Sequence, residues 1–184
     1  MPVVISMLRG INVGGHAQIK MEALRELYAS LKFYDPKTYV QSGNVIFKTS
    51  EPNQKLIAAR IQQAVQRKFA CRPEIILRTT AELRAVVSNN PFPGHAQREP
   101  GKLLVSFLAT PPAKDAAEKL LVFADLPEEL HLAGRELYIY FPNGAGQSKL
   151  PWSRLDKMLQ TAGTARNWNS VTKILEIAER LESA

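Results

Sequence analysis

The feature that most limits how this chain can fold is a hexapeptide that occurs twice. Val3-Val4-Ile5-Ser6-Met7-Leu8 returns as Leu103-Leu104-Val105-Ser106-Phe107-Leu108, with the serine and the last leucine identical. Each is a nearly continuous apolar run, the pattern of a strand buried on both faces in the middle of a sheet. Two such strands at a constant offset point to a unit that has been duplicated.

Beyond the first copy the chain reads as a complete βαββαβ order. A helix is predicted over 20–33, where Met21, Leu24, Leu27, Tyr28 and Leu31 share one face, and Asp35-Pro36 is expected to end that region. Thr38 to Gln41 and Val45 to Lys48 are β-rich, and Ser42-Gly43-Asn44 between them supplies a hairpin turn. A second helix over 52–69 buries Ile57, Ile61, Val65 and Phe69 and turns Arg60, Gln63 and Arg67 outward; the strand Glu74 to Arg78 comes next. Thr79-Thr80-Ala81-Glu82 matches a capping box opening a short helix with Leu83, Val86 and Val87.

From Asn90 to Gly101, three prolines and two glycines mark a linker, after which the pattern restarts. A helix over 113–124 carries Ala116, Ala117, Leu120 and Leu121, and Leu130 to Leu132 and Leu137 to Phe141 flank a second hairpin in which Gly134 takes the place of Gly43. A helix over 151–160 opens on Pro151 and buries Trp152, Leu155, Met158 and Leu159. Arg166-Asn167 before Val171, Ile174 and Leu175 repeats the spacing of Arg78-Thr79 before Leu83, Val86 and Val87, which makes Asn167 a helix cap. The weakest part of the copy is Ala162-Gly163-Thr164-Ala165, expected as an edge strand or a loop. The expected organisation is therefore α+β: a first half over 1–90, a linker over 91–101 and a second half over 102–184, each half with an extra C-terminal helix.

Composition bounds the function classes. With 45% apolar residues, 22% charged residues and a mean hydropathy of −0.17, the chain has the makings of a core and is not globally disordered. No apolar run approaches the roughly 18 residues of a membrane span, and Met1 to Leu8 reads as a strand in place of a signal peptide. A single cysteine, Cys71, without a CxxC partner fits a reducing compartment, so a cytoplasmic location is expected; Cys71 itself reads as a small buried hydrophobe. The net charge of +7 sits in the first half: residues 1–100 hold 14 Lys and Arg against 7 Asp and Glu, and residues 101–184 hold 10 against 10. Such a bias attracts anions, though it lacks the clustered stripe of a nucleic-acid binder.

The segments Arg9 to Gly15, Met21 with Leu24-Arg25, Thr38 to Phe47, Gly144 to Leu150 and Thr164 to Val171 resemble the bacterial family known as domain of unknown function 1697. The resemblance spans essentially the whole chain. It implies two ferredoxin-like halves, each with an antiparallel sheet, and implies no activity.

Four polar segments are candidate ligand sites. Arg9-Gly10-Ile11-Asn12-Val13-Gly14-Gly15 leaves a buried strand and enters a helix whose first amides lack partners, a geometry that captures phosphate or carboxylate; Arg9 can add a bidentate contact. Its glycines fit neither G-x-G-x-x-G nor a P-loop, and the competing reading is a turn with positive φ in which Asn12 bonds its own backbone. At Gln41-Ser42-Gly43-Asn44 plain turn chemistry is favoured over a ligand role for Gln41, Ser42 and Asn44. Gly144 to Lys149 departs from GxxxxGK[ST], and a linker capped by Ser148 is favoured over an anion site helped by Lys149. At Arg166-Asn167-Trp168-Asn169 the favoured reading has Asn167 capping, Trp168 in the core and Arg166 in a structural ion pair; the other has Arg9 and Arg166 sharing one anionic ligand.

Tyr138 and Tyr140 share one sheet face, where RNA-binding modules of this architecture stack bases, but the core reading is favoured. His16, His95 and His131 lie in separate segments without nearby acidic partners, so no metal site is expected, and no cofactor. No serine sits in a nucleophile elbow and Asp35, Asp115, Asp125 and Asp156 form no local pair, so no catalytic residue can be named and an enzyme is left open. The leading expectation is a small anionic ligand at the strand-end loops. The rivals are a nucleic-acid binder using the basic first half and an enzyme assembled from residues distant in sequence. No membrane partner is expected, and oligomeric state is not legible.

Overall fold

The computed structural model describes residues 1–15, 18–94 and 99–184. His16 and His95, expected as isolated histidines, lie outside the described residues.

The elements run in the duplicated order. In the first half they are β1 (Val3–Leu8), α1 (Met21–Ser30), β2 (Tyr34–Tyr39), β3 (Asn44–Lys48), α2 (Gln54–Phe69), β4 (Ile75–Thr79) and α3 (Thr80–Ser88). In the second they are β5 (Leu103–Leu108), α4 (Ala116–Leu120), β6 (Glu129–Ala133), β7 (Glu136–Tyr140), α5 (Trp152–Leu159), β8 (Gly163–Asn167) and α6 (Trp168–Ser183). Each half forms a four-stranded antiparallel sheet, ordered β2-β3-β1-β4 and β6-β7-β5-β8. This is the ferredoxin-like arrangement, with the repeated hexapeptide as an inner strand of each sheet. The equivalence of the two hexapeptides holds in the register: Val4 faces Thr79 and Leu104 faces Asn167, while Val3 faces Lys48 and Leu103 faces Tyr140.

Two compact units result: Met1–Ala85 with Lys173–Ala184, and Val86–Thr172. Their boundaries fall inside α3 and α6. In the first unit, Val4, Leu8, Val45, Phe47, Ile75 and Leu77 meet Leu24, Leu27, Tyr28, Ile57, Ile61 and Val65 in one core. In the second, Leu108, Leu137, Ile139 and Phe141 meet Ala116, Leu120, Phe123, Leu155 and Leu159. The alternate residues of the inner strands, Ile5 and Met7 in β1 and Val105 and Phe107 in β5, are buried too, as the unbroken apolar runs require. No described helix is long and apolar enough to cross a membrane.

Local chemistry explains most boundaries. The Asn53 side chain caps α2 by accepting from the amides of Lys55 and Leu56. The capping box forms reciprocally: the Glu82 amide donates to Thr79 Oγ1 at 3.1 Å and the Thr79 amide to Glu82 Oε2 at 2.7 Å. The poorly marked last strand of the second half does form, as edge strand β8. Its small residues have a reason, since a Cβ on Gly163 would lie 2.5 Å from Ser106 Oγ.

Four expectations are corrected. Asp35-Pro36 does not end the region but lies inside β2, with Asp35 at φ +47° and a register shift between Tyr34 and Lys37; an edge strand with a bulge tolerates proline. Arg60 does not point outward: its Nη2 donates to the Leu31 carbonyl at 2.6 Å and its guanidinium lies over the Phe33 ring. The helix expected over 113–124 is α4 followed by a 3₁₀ turn, Leu121–Phe123. The tighter winding leaves Leu121 exposed and brings Phe123 into the core. Trp152 is 44% exposed, because it is the first residue of α5 and the Phe141 ring is its aromatic neighbour, while Leu150, Leu155 and Leu159 fill the core.

Candidate functional site

In the first unit β1 ends at Leu8 and the chain enters a loop of alternating backbone handedness. Gly10, Asn12 and Gly14 have φ of +74°, +54° and +58°, Gly15 has +77°, and Ile11 and Val13 between them do not share this conformation. Ile11 turns inward and is buried, whereas Gly10, Val13, Gly14 and Gly15 are exposed and Arg9 is half-buried. Where αR and αL residues follow one another, successive N–H groups point into one concavity.

Asn12 holds this loop to the β2–β3 hairpin. Its Nδ2 donates to the carbonyls of Ile19 at 2.9 Å and Gln41 at 2.7 Å, and its Oδ1 accepts from the Ile19 amide at 2.7 Å. The hairpin is closed by Asn44, which is fully buried and donates to the Tyr39 carbonyl and to Ser42 Oγ. The Leu8 amide donates to the Gly43 carbonyl. The fold thus brings Arg9 to Gly15 and Gln41 to Asn44 into one strand-end surface. Within it the side chains of Asn12, Ser42 and Asn44 make hydrogen bonds, Arg9 is half-buried and Gln41 is exposed.

The other candidates lie in the second unit. Arg166 is 6% exposed, and its Nη1 donates to Thr164 Oγ1 at 2.7 Å and to the Ala165 carbonyl at 2.9 Å. Burial pulls its pKa below the ordinary guanidinium value. Arg78, at the matching place in β4, is deeply buried as well. Asn167 Oδ1 accepts from the Asn169 amide at the start of α6, and its Nδ2 donates to the Gly101 carbonyl. Ser148 Oγ accepts from the Leu150 amide in a turn ahead of α5, whose N-cap is Pro151, and Lys149 is exposed. Tyr138 and Tyr140 are buried; the Tyr138 hydroxyl donates to the Val86 carbonyl and that of Tyr140 to Glu99. Cys71 is partly buried against the first core, and burial raises its thiol pKa.

The second unit also holds a cleft that no sequence motif announces. It has a volume of about 520 Å³ and opens between the edge strand β6 and the α4 region, with Phe92, Leu120, Phe123, Leu130 and Glu128 in its lining. Glu128 is 8% exposed, and its Oε2 has no hydrogen-bond partner among the described residues. Only the pair Glu128-Glu129 just before an alternating strand signals it in the sequence, and such a pair ordinarily marks a solvated turn.

The sequence profile of a family described as "Protein of unknown function (DUF1697)" matches residues 1–138. No curated protein matches the chain. Among solved structures, the conserved bacterial protein SP0830 from Streptococcus pneumoniae is similar over 96% of this chain and 98% of its own, at 19% identity and a TM-score of 0.71. That likeness is one of fold.

Proposed function

The chain belongs to the DUF1697 family of proteins of unknown function, and on that premise we propose that it is a cytoplasmic binding protein whose first unit holds a small anionic ligand at the strand ends. The observation that carries this reading is the alternating handedness of Gly10 to Gly14 beside Arg9, a backbone form suited to an anion. The Asn12 bonds give the loop its rigidity, so that little ordering entropy is lost on binding. Arg9 supplies charge and a planar fork for phosphate or carboxylate, and Gln41 stands at the rim. The excess of basic residues in the first hundred positions raises the local concentration of anions. Arg166 and Lys149 belong to the second unit, the first buried and engaged there, the second exposed on a turn.

The test is thermal denaturation of the protein with inorganic phosphate and with a panel of phosphorylated and carboxylated metabolites. At least one ligand is expected to raise the Tm of the wild type, and Arg9→Ala is expected to weaken that ligand about tenfold, the cost of one charge-assisted contact of roughly 1.4 kcal/mol. A panel without effect, or an Arg9→Ala variant that responds like the wild type, defeats the reading. Steep salt-dependent retention on a polyanion column would instead favour nucleic acid.

A further inference from the structure

A carboxylate taken out of water and given no partner is costly, so native folds rarely keep one without a use. Glu128 is such a group: the residue is only 8% exposed, and Oε2 accepts no hydrogen bond among the described residues. It lines the cleft of about 520 Å³ beside β6, a volume in the range that takes a small organic molecule.

The rest of the lining says which molecule. Phe92, Leu120, Phe123 and Leu130 give apolar and aromatic walls, Glu129 adds a second carboxylate, and His131 is exposed. The described lining contains no lysine or arginine, so no cation of the cleft wall offsets Glu128. No group of three His, Cys, Asp or Glu side chains able to hold a metal ion comes together among the described residues. A cation with an apolar body meets both demands, with charge for Glu128 and ring or chain for the aromatic walls, where cation–π attraction adds to burial.

We propose that this cleft is a binding site for a small organic cation, its ammonium or guanidinium group on Glu128 and its apolar body between Phe92 and Phe123. The site lies wholly within residues 86–172 and takes the opposite charge to the strand-end loop of the first unit, so it stands whether or not that anion reading does.

Titration calorimetry with phenethylamine, and with 2-phenylethanol as its uncharged counterpart, tests it on the full chain. Phenethylamine is expected to bind at least tenfold more tightly than 2-phenylethanol, and Glu128→Gln to erase that preference. Ala117→Trp, placed at an exposed position of the lining, is expected to abolish binding with the carboxylate intact. Glu128→Gln should also raise the Tm, by roughly 3 °C, because a buried charge held for a ligand costs stability in the free protein. Equal binding of the amine and the alcohol, no binding of the amine, or unchanged preference in Glu128→Gln overturns the proposal. A Glu128→Gln variant that melts lower also overturns it, since that outcome makes the carboxylate a structural group.

Discussion

At the turn between β2 and β3, Gly43 is buried with φ +76°, and a Cβ there would lie 2.6 Å from Ile11 Cδ1 and 3.1 Å from Leu8 Cβ. At the turn between β6 and β7, Gly134 is exposed with φ +58°, and a Cβ would meet only Glu136 Oε2 at 3.9 Å. By register the counterpart of Gly43 is Arg135 and not Gly134, since the Leu8 amide donates to the Gly43 carbonyl and the Leu108 amide to that of Arg135, so the two turns differ in backbone path as well as in packing. In the first unit the hairpin is built into the loop that leaves the inner strand; in the second it is a turn whose glycine answers to φ alone. The same split recurs at the two serines of the repeat. Ser6 shares a 2.7 Å hydrogen bond with the hydroxyl of Tyr28, which is fully buried, whereas Ser106 sits against the space that Gly163 leaves open.

The largest expected effect separates the two hairpins. Gly43→Ala adds overpacking to the cost of positive φ and should lose about 3 kcal/mol, while Gly134→Ala carries the conformational cost alone and should lose about 1 kcal/mol. Urea unfolding of both variants reads the difference, and equal losses would erase the contrast. Next in size is Gly163→Ala, expected to lose about 2 kcal/mol by crowding Ser106 Oγ. Adding Ser106→Ala should restore most of it, a non-additivity that sharpens the claim of direct contact.

The smallest contrast concerns how each inner strand's exit is held. Asn12→Ala removes three hydrogen bonds from a partly buried loop and should lose about 2 kcal/mol. Its counterpart in the second unit is the Thr161 hydroxyl, which accepts from Thr110; Thr161→Ala should cost about 1 kcal/mol or less. Hydrogen exchange of the Gln18 to Lys20 amides is expected to speed up in Asn12→Ala, and unchanged exchange there would mean that the loop is held by something else.

Most of the architecture is legible because the signals that set it are local. The apolar hexapeptides, the 3.6-residue periodicity of α1 and α2, the glycine turns, the Thr79–Glu82 capping box and the Asn167 cap each act within a few residues, so chain order alone reveals them. The candidate loop is legible in the same way, since glycine at 10, 14 and 15 with asparagine at 12 is a backbone statement. The competing reading of that loop is legible too, and Asn12 does bond the backbone, though at Ile19 and Gln41 and not at its own turn.

The features that escape the sequence depend on which neighbour happens to be near in space. Proline at 36 reads as a stop because proline removes a donor, but β2 is an edge strand and has no partner on one side to miss it. Trp152 reads as core because it is apolar and in phase, but the first turn of α5 leaves it half in solvent. Arg60 reads as surface until Phe33 and the Leu31 carbonyl offer it a seat.

By itself, then, the sequence determined two βαββαβ units, their strand and helix order and the bend of the Arg9 to Gly15 loop, because hydrophobic period, glycine φ and capping are properties of short stretches. Only the tertiary structure decided that Gly43 must be small, that Ser106 requires Gly163, and that Glu128 is buried beside aromatic walls. Desolvation and steric fit are set by residues brought close from far along the chain, and no local pattern encodes them.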